Sequence, residues 1–364
     1  MGFTCGIIGL PNVGKSTIFN ALTGGHAEAT NYAFTSSQPN TGVVQVPDPR
    51  LDTISTLVEA KKTIYTTLEF VDIAGLAKGA SKGEGLGNKF LGNIREVDAI
   101  AHVLRCFENP NIPHVSEKID PKSDIEAINI ELIIADLEVL ERRKFKLQKI
   151  AKSGDPDARL QMDLIDRITK ALDDNLPARS VKLNNDQEMK KVKEYNLLTS
   201  IPVLYVCNIQ DPSEAGNEHV SAVKELAAEN IKVVVLAGKL ECEIRDIDDP
   251  EERQVFVEEM GLKETGLHQM IRVGYELLDL VTFFTVGGKE NRAWTIRKNS
   301  KAPKAAGVIH SDLEKGFIRA EVYHFDDLVA YKTEHALKES GKLRVEGKDY
   351  VVQDGDIMHI RFNV

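Results

Sequence analysis

The sequence predicts an α/β fold in which a parallel sheet is wrapped by helices, with a helical hairpin inserted and a small α+β domain at the carboxyl end. Three observations carry this. Short apolar, β-rich runs recur at Cys5 to Ile8, Leu68 to Val71, Ala99 to Cys106, Val203 to Cys207 and Lys232 to Leu236, with helical patterns between several of them. That is the form taken by strands covered on both faces. The first run leads directly into Gly9-Leu10-Pro11-Asn12-Val13-Gly14-Lys15-Ser16, a match to G-x-x-x-x-G-K-[ST]. The second ends in Asp72-Ile73-Ala74-Gly75, a D-x-x-G element.

The phosphate loop justifies the first strand and the helix after it. Its glycines let backbone N–H groups turn inward around phosphate oxygens, Lys15 adds a point charge, and the Ser16 hydroxyl can ligate Mg²⁺. Thr17 to Leu22 reads as the helix whose N-terminal dipole completes the anion site. Thr41 to Val46 is a further strand candidate at an edge. Between the third and fourth parallel strands, Ile125, Ile128, Leu132, Ala135 and Val139 repeat at helical spacing, Ser153-Gly154-Asp155-Pro156 interrupts, and Leu160, Leu164, Ile168 and Leu172 resume. This predicts an antiparallel helical hairpin whose first arm, from Asp124 to Lys152, would reach ~43 Å. After a helix from Gly266 to Leu280 the pattern turns to strands at Thr282 to Val286, Ala293 to Ile296, Phe317 to Tyr323, Tyr350 to Val352 and Ile357 to Phe362. These form the separate α+β domain.

A chain of 364 residues, 42% apolar and without biased tracts, has room for two or three units. No apolar stretch approaches the ~20 residues of a membrane span, and Met1-Gly2-Phe3 runs into the first strand without a leader, so a cytosolic protein with no membrane partner is expected. Cys5, Cys106, Cys207 and Cys242 lie singly inside apolar runs, which predicts buried thiols rather than a zinc site or disulfides. A net charge of −10 argues against a protein that coats nucleic acid over its whole surface. Two stretches are nonetheless basic: Arg142, Arg143, Lys144, Lys146, Lys149 and Lys152 near the hairpin turn, and Lys289 to Lys304 around Trp294. Both are candidates for RNA contact, against the plainer reading of solvated charge and a packed tryptophan.

The remaining motifs refine the chemistry. Asp72 would hold Mg²⁺ through water, and the Gly75 N–H would meet the terminal phosphate. Leu76 stands where many GTPases carry a water-orienting glutamine, so another group must position the water, or a partner must supply one. His114, in the proline-flanked loop after the third strand, is the candidate, with simple exposure as the alternative. Thr35, Ser36 and Ser37 are each eligible as the second Mg²⁺ hydroxyl. Asn12 is either a turn former or a side-chain carbonyl for a monovalent cation such as K⁺. Asn208-Ile209-Gln210-Asp211 resembles the guanine reader N-K-x-D with isoleucine in place of lysine, and Ala237-Gly238-Lys239 occupies the place of the loop that backs the base.

Taken together, these residues resemble the YchF or Obg-like ATPase family of translation-factor-related P-loop proteins over nearly the whole chain. The phosphate loop, F-V-D-I-A-G-L-A-K-G-A-S-K-G-E-G-L-G-N from Phe70 to Asn88, R-C-F-E-N from Arg105 to Asn109, and the terminal G-F-I-R-A and R-F-N-V carry the likeness. The resemblance implies a Ras-like P-loop NTPase domain over residues 1–280, a helical arm at 124–200 within it, and a ubiquitin-like β-grasp (TGS) domain over 281–364. It further implies ATP preferred over GTP, Mg²⁺ dependence, slow turnover, stimulation by K⁺, and association with the ribosome, on the large subunit or the whole particle. By the same resemblance Asn12, Val13, Gly14, Lys15, Ser16 and Thr17 bind phosphates, Ser16 and Ser36 ligate Mg²⁺, and His114 is catalytic. Asn208 and the Ile209 backbone then recognise adenine. One position departs: the family has N-x-x-E, and this chain has Asp211, whose shorter carboxylate keeps GTP open.

The reading is a slow, ribosome-associated, Mg²⁺-dependent ATPase that regulates translation or a stress response. Its rivals are a GTP-driven ribosome-assembly switch, supported by Asp211, and a binding module stabilised by nucleotide, supported by Leu76.

Overall fold

The computed structural model describes residues 3–24, 39–74, 86–115, 118–227 and 231–363. The chain forms two compact units, one of Thr4–Gly42 with Phe70–Met270, the other of Met1–Phe3, Val43–Glu69 and Ile271–Val364. Their strands are β1 (Phe3–Ile8), β2 (Asn40–Gln45), β3 (Lys62–Ile64), β4 (Thr67–Asp72), β5 (Ala99–Arg105), β6 (Val203–Asn208), β7 (Lys232–Leu236), β8 (Leu280–Thr285), β9 (Glu290–Arg297), β10 (Phe317–His324), β11 (Arg344–Glu346) and β12 (Asp356–Phe362).

The first sheet has the order β2-β4-β1-β5-β6-β7, and β1 with β5, β5 with β6, and β6 with β7 pair in parallel. Every residue of β5 and β6 is buried, which is why both read as unbroken apolar runs rather than alternating ones. Helix Lys15–Thr23 follows β1 and buries Ile18, Phe19, Ala21 and Leu22. It stops at Gly24, left-handed at φ 68, a conformation that costs glycine little. This is the expected P-loop NTPase core.

The insertion is the expected hairpin, with helices Pro121–Lys152 and Pro156–Asp173. The first starts three residues before the predicted Asp124, because Asp120 caps it by accepting from Ser123 N–H and Pro121 occupies the first turn. Ile133, Leu140, Leu164, Ile165, Ile168 and Leu172 meet between the arms. Asp136, fully buried, accepts from the N–H groups of Leu198 and Thr199, each at 2.8 Å, and from the Thr199 hydroxyl at 2.7 Å. That ties the arm to the chain entering β6. Part of the basic segment is spent internally: Lys144 pairs with Asp166 at 2.5 Å, and the Arg143 guanidinium lies 4.8 Å from the Tyr195 ring centre.

The second sheet has the order β11-β10-β12-β8-β9-β3. Parallel β12–β8 is flanked by antiparallel β8–β9 and β10–β12, the β-grasp arrangement. Residues 43–69 lie inside the span expected for the nucleotide domain, yet they cluster with this unit. Strand β3 pairs in parallel with β9, and helix Pro49–Leu57 buries Leu51 and Ile54 among Phe284, Tyr323, Leu328 and Ile357. Tyr350 to Val352, predicted as a strand, makes only an isolated bridge between Val351 and Lys301. Trp294, read either as a stacking surface or as a packed tryptophan, takes the second role and packs against its own core. Its Nε1–H donates to Thr285 Oγ1 at 2.9 Å, and the Arg292 guanidinium covers the ring at 4.1 Å.

All four cysteines are free, and Cys5, Cys106 and Cys207 are buried as expected, with Cys242 intermediate. Among the described residues no helix is long and apolar enough to cross a membrane.

Candidate functional site

The phosphate loop leaves β1 at the point where the sheet order diverges, with β4 on one side and β5 on the other, the usual crevice of an open α/β sheet. Asn12 at φ 64 and Gly14 at φ 94 are both left-handed. Alternating handedness of this kind turns successive N–H groups into one concavity. A Cβ on Gly9 would sit 2.7 Å from the Val103 carbonyl oxygen, and one on Gly14 would collide with the Asn208 amide. Val13 is buried, whereas Ser16 and Thr17 are exposed at the start of the helix, where an anion and its metal can reach them. The Lys15 ammonium donates to Asp72 at the end of β4, and only 11% and 12% of the two side chains are exposed. The Ser16 hydroxyl and the Asp72 carboxylate are hard oxygen donors of the kind Mg²⁺ takes alongside phosphates and water. Among the described residues there is no cluster of three or more His, Cys, Asp or Glu that would make a protein-only metal cage. Ser36, Gly75 and Leu76 lie outside the described residues.

Asn208, expected at the base, is a clasp. Its Nδ2 donates to the Val13 carbonyl at 2.9 Å, and its Oδ1 accepts from Gly238 N–H at 3.0 Å. It therefore joins the phosphate loop to helix Gly238–Arg245, in the segment expected to back the base. The Ile209 N–H continues the sheet by donating to the Leu236 carbonyl at 2.9 Å. Asp211 caps the short turn Pro212–Glu214: its Oδ1 accepts from Ser213 N–H at 2.9 Å and from Ser213 Oγ at 2.6 Å. Those two bonds hold its carboxyl below the usual range. Glu214 accepts from Gln210 N–H at 3.2 Å.

The loop after β5 approaches the phosphate loop, as its prolines suggested. Asn12 Nδ2 donates to the Pro113 carbonyl at 3.1 Å, which leaves Oδ1 as the amide's acceptor. The next residue, His114, is not an exposed loop histidine. Its Nε2 lies 3.2 Å from Asp124 Oδ2, with 3% of the imidazole and 2% of the carboxylate side chain exposed. Two residues that sequence reasoning missed shape this loop. Arg105 is 1% exposed and donates to the carbonyls of Phe107, Asn109 and Ile112 at 3.1, 3.1 and 2.9 Å. Burial pulls its pKa below the usual value. An arginine ending an otherwise apolar strand was the available signal. Asp124 offered none, because nothing local links it to His114.

Residues 4–142 match the family described as 50S ribosome-binding GTPase. Residues 280–363 match the YchF-type GTPase carboxyl-terminal family, described as a protein of unknown function, DUF933. Proteins named ribosome-binding ATPase YchF are 54% identical in Haemophilus ducreyi, 53% in Bacillus subtilis and 52% in Escherichia coli O157:H7, each over 100% of both chains. The solved structure of the Schizosaccharomyces pombe YchF GTPase is similar at a TM-score of 0.86 and 35% identity, covering 99% of this chain and 98% of that one.

Proposed function

This chain belongs to the YchF family of P-loop nucleoside-triphosphatases, and from that premise we propose that it is a ribosome-binding ATPase that couples its nucleotide state to translation. The observation that carries the reading is the phosphate loop itself: two left-handed residues beside a desolvated Lys15, at the start of a helix. Relatives over half identical carry the name ribosome-binding ATPase, which supports the ribosome as partner and ATP as substrate. The nucleotide-binding set is Asn12 to Thr17, Asp72, Gly75, Asn208, Ile209 and Asp211.

Hydrolysis is in-line attack of water on the terminal phosphate. Lys15 and the N–H groups of the loop meet the developing charge, while Asp72 and Asn208 keep the lysine and the loop in place. Bound Mg²⁺, held by Ser16 and Ser36, would neutralise phosphate charge. Asn12 Oδ1 suits K⁺ beside the phosphates. His114 positions the water that Leu76 cannot. Replacing His114 by alanine should slow single-turnover ATP hydrolysis about a hundredfold, and an unchanged rate in the presence of K⁺ removes the assignment.

Base choice is the finer question. Meeting guanine would take Asp211 out of its cap, which costs about 1 kcal/mol, whereas adenine can be read by the Ile209 backbone without disturbing Asp211. We therefore expect ATP to bind about fivefold tighter than GTP, with Asp211→Glu leaving ATP affinity within about threefold of the parent. Paired equilibrium titrations check this, and tighter GTP binding would favour the GTP-switch reading. At the hairpin tip, Lys146, Lys149 and Lys152 have no ion-pair partner among the described residues, and Phe145 is 75% exposed. This supports the arm as the contact to ribosomal RNA.

A further inference from the structure

We propose that Asp124, at the foot of the helical arm, is a positioning residue that sets the orientation and tautomer of His114. This rests on the reading that His114 positions the attacking water. His114 Nε2 lies 3.2 Å from Asp124 Oδ2, an ion-pair distance at which the two atoms are not aligned as a hydrogen bond; because a carboxylate can only accept, a neutral ring that turns to pair with it presents Nε2–H. Nδ1 is then the lone-pair atom, the one able to accept from water. A carboxylate with 2% exposure is costly to bury without a partner, and here the partner is a ring carried on the loop tied to the phosphate site.

Both ends of the pair are pinned. Asp124 sits in the first turn of helix Pro121–Lys152, where its own N–H donates to the Asp120 carbonyl at 3.1 Å, and the helix dipole favours its negative charge. On the other side, Arg105 grips the Phe107, Asn109 and Ile112 carbonyls, and Asn12 holds the Pro113 carbonyl. The imidazole is thus fixed between the phosphate loop and the arm. Because the carboxylate belongs to the arm's first turn, the arm and the hydrolysis site meet at this contact.

A double-mutant cycle on the full-length protein tests the proposal, with steady-state ATPase assays, ATP titrations and thermal melts on Asp124→Asn, His114→Ala and the pair. Asp124→Asn should lower kcat about tenfold, since an amide can present its N–H to the ring and favour the other tautomer, while KM and Kd for ATP stay within about twofold. The double variant should be no slower than His114→Ala alone. Where the amide is not tolerated, Asp124→Glu serves the same cycle: its slower turnover must likewise vanish in the His114→Ala background. If His114→Ala is slow but Asp124→Asn is unchanged or faster, or the two effects multiply, Asp124 does not act through His114. An unchanged His114→Ala overturns the water-positioning reading and this proposal with it.

Discussion

Replacing Gly14 with alanine is expected to raise the Kd for ATP by about a thousandfold. Two costs add. Gly14 is held at φ 94, where an L side chain loses about 1–2 kcal/mol. Its new Cβ would also strike the Asn208 amide, which bridges the Val13 carbonyl and Gly238 N–H. Displacing that amide strands two buried groups at about 1–3 kcal/mol each. Some of the total falls on folding rather than binding, so a lower melting temperature should accompany the loss. Equilibrium titration with ATP checks the prediction, and affinity within about tenfold of the parent would show that the loop can relax around the methyl group.

Acid should destabilise the nucleotide-binding unit through His102. This residue lies in the middle of β5, 2% exposed, edge-on to Tyr205 with ring centres 5.9 Å apart. Burial, reinforced by the Arg179 charge, pushes its pKa from 6.5 down to about 3. The folded ring therefore refuses a proton that the unfolded ring accepts. Stability from this group is complete above the unfolded value and is lost as pH falls toward the folded one, at about 1.4 kcal/mol per pH unit. Two units below the unfolded value the loss is about 2.7 kcal/mol. Urea unfolding between about pH 7 and pH 4.5 should show this slope in the parent and a slope smaller by one proton in His102→Leu. Because the slope is the readout, the substitution's own effect on stability does not confuse it. Equal slopes would mean that His102 does not titrate on unfolding.

The sheet strands and the arm were legible because their signals are continuous in sequence. The apolar runs of β5, β6 and β7 and the 3.6-residue repeat through Ile125, Ile128 and Leu132 each identify an element by its own pattern. Helix Pro49–Leu57 and strand β3 were not read, and neither was their place in the carboxyl-terminal unit. Leu51 and Ile54 show that the segment buries a face, but nothing in them names Phe284 and Tyr323 as the surface that receives it. At Trp294 the sequence left a stacking platform and a packed tryptophan both open, and the contacts of Arg292 and Thr285 decide for packing.

The phosphate chemistry is already written in the order of the residues. Gly9 through Ser16 is one contiguous turn whose backbone angles, charge and hydroxyl all follow from residue type and order. The roles of the isolated polar residues emerge from the folded chain. Asn208 clasps a loop far from it in sequence, Asp211 caps its own turn, and His114 faces Asp124 on a different element. The physical reason is range. Dihedral preference and periodicity are local properties, whereas the partner of a buried polar group is set by long-range packing that brings one donor to one acceptor.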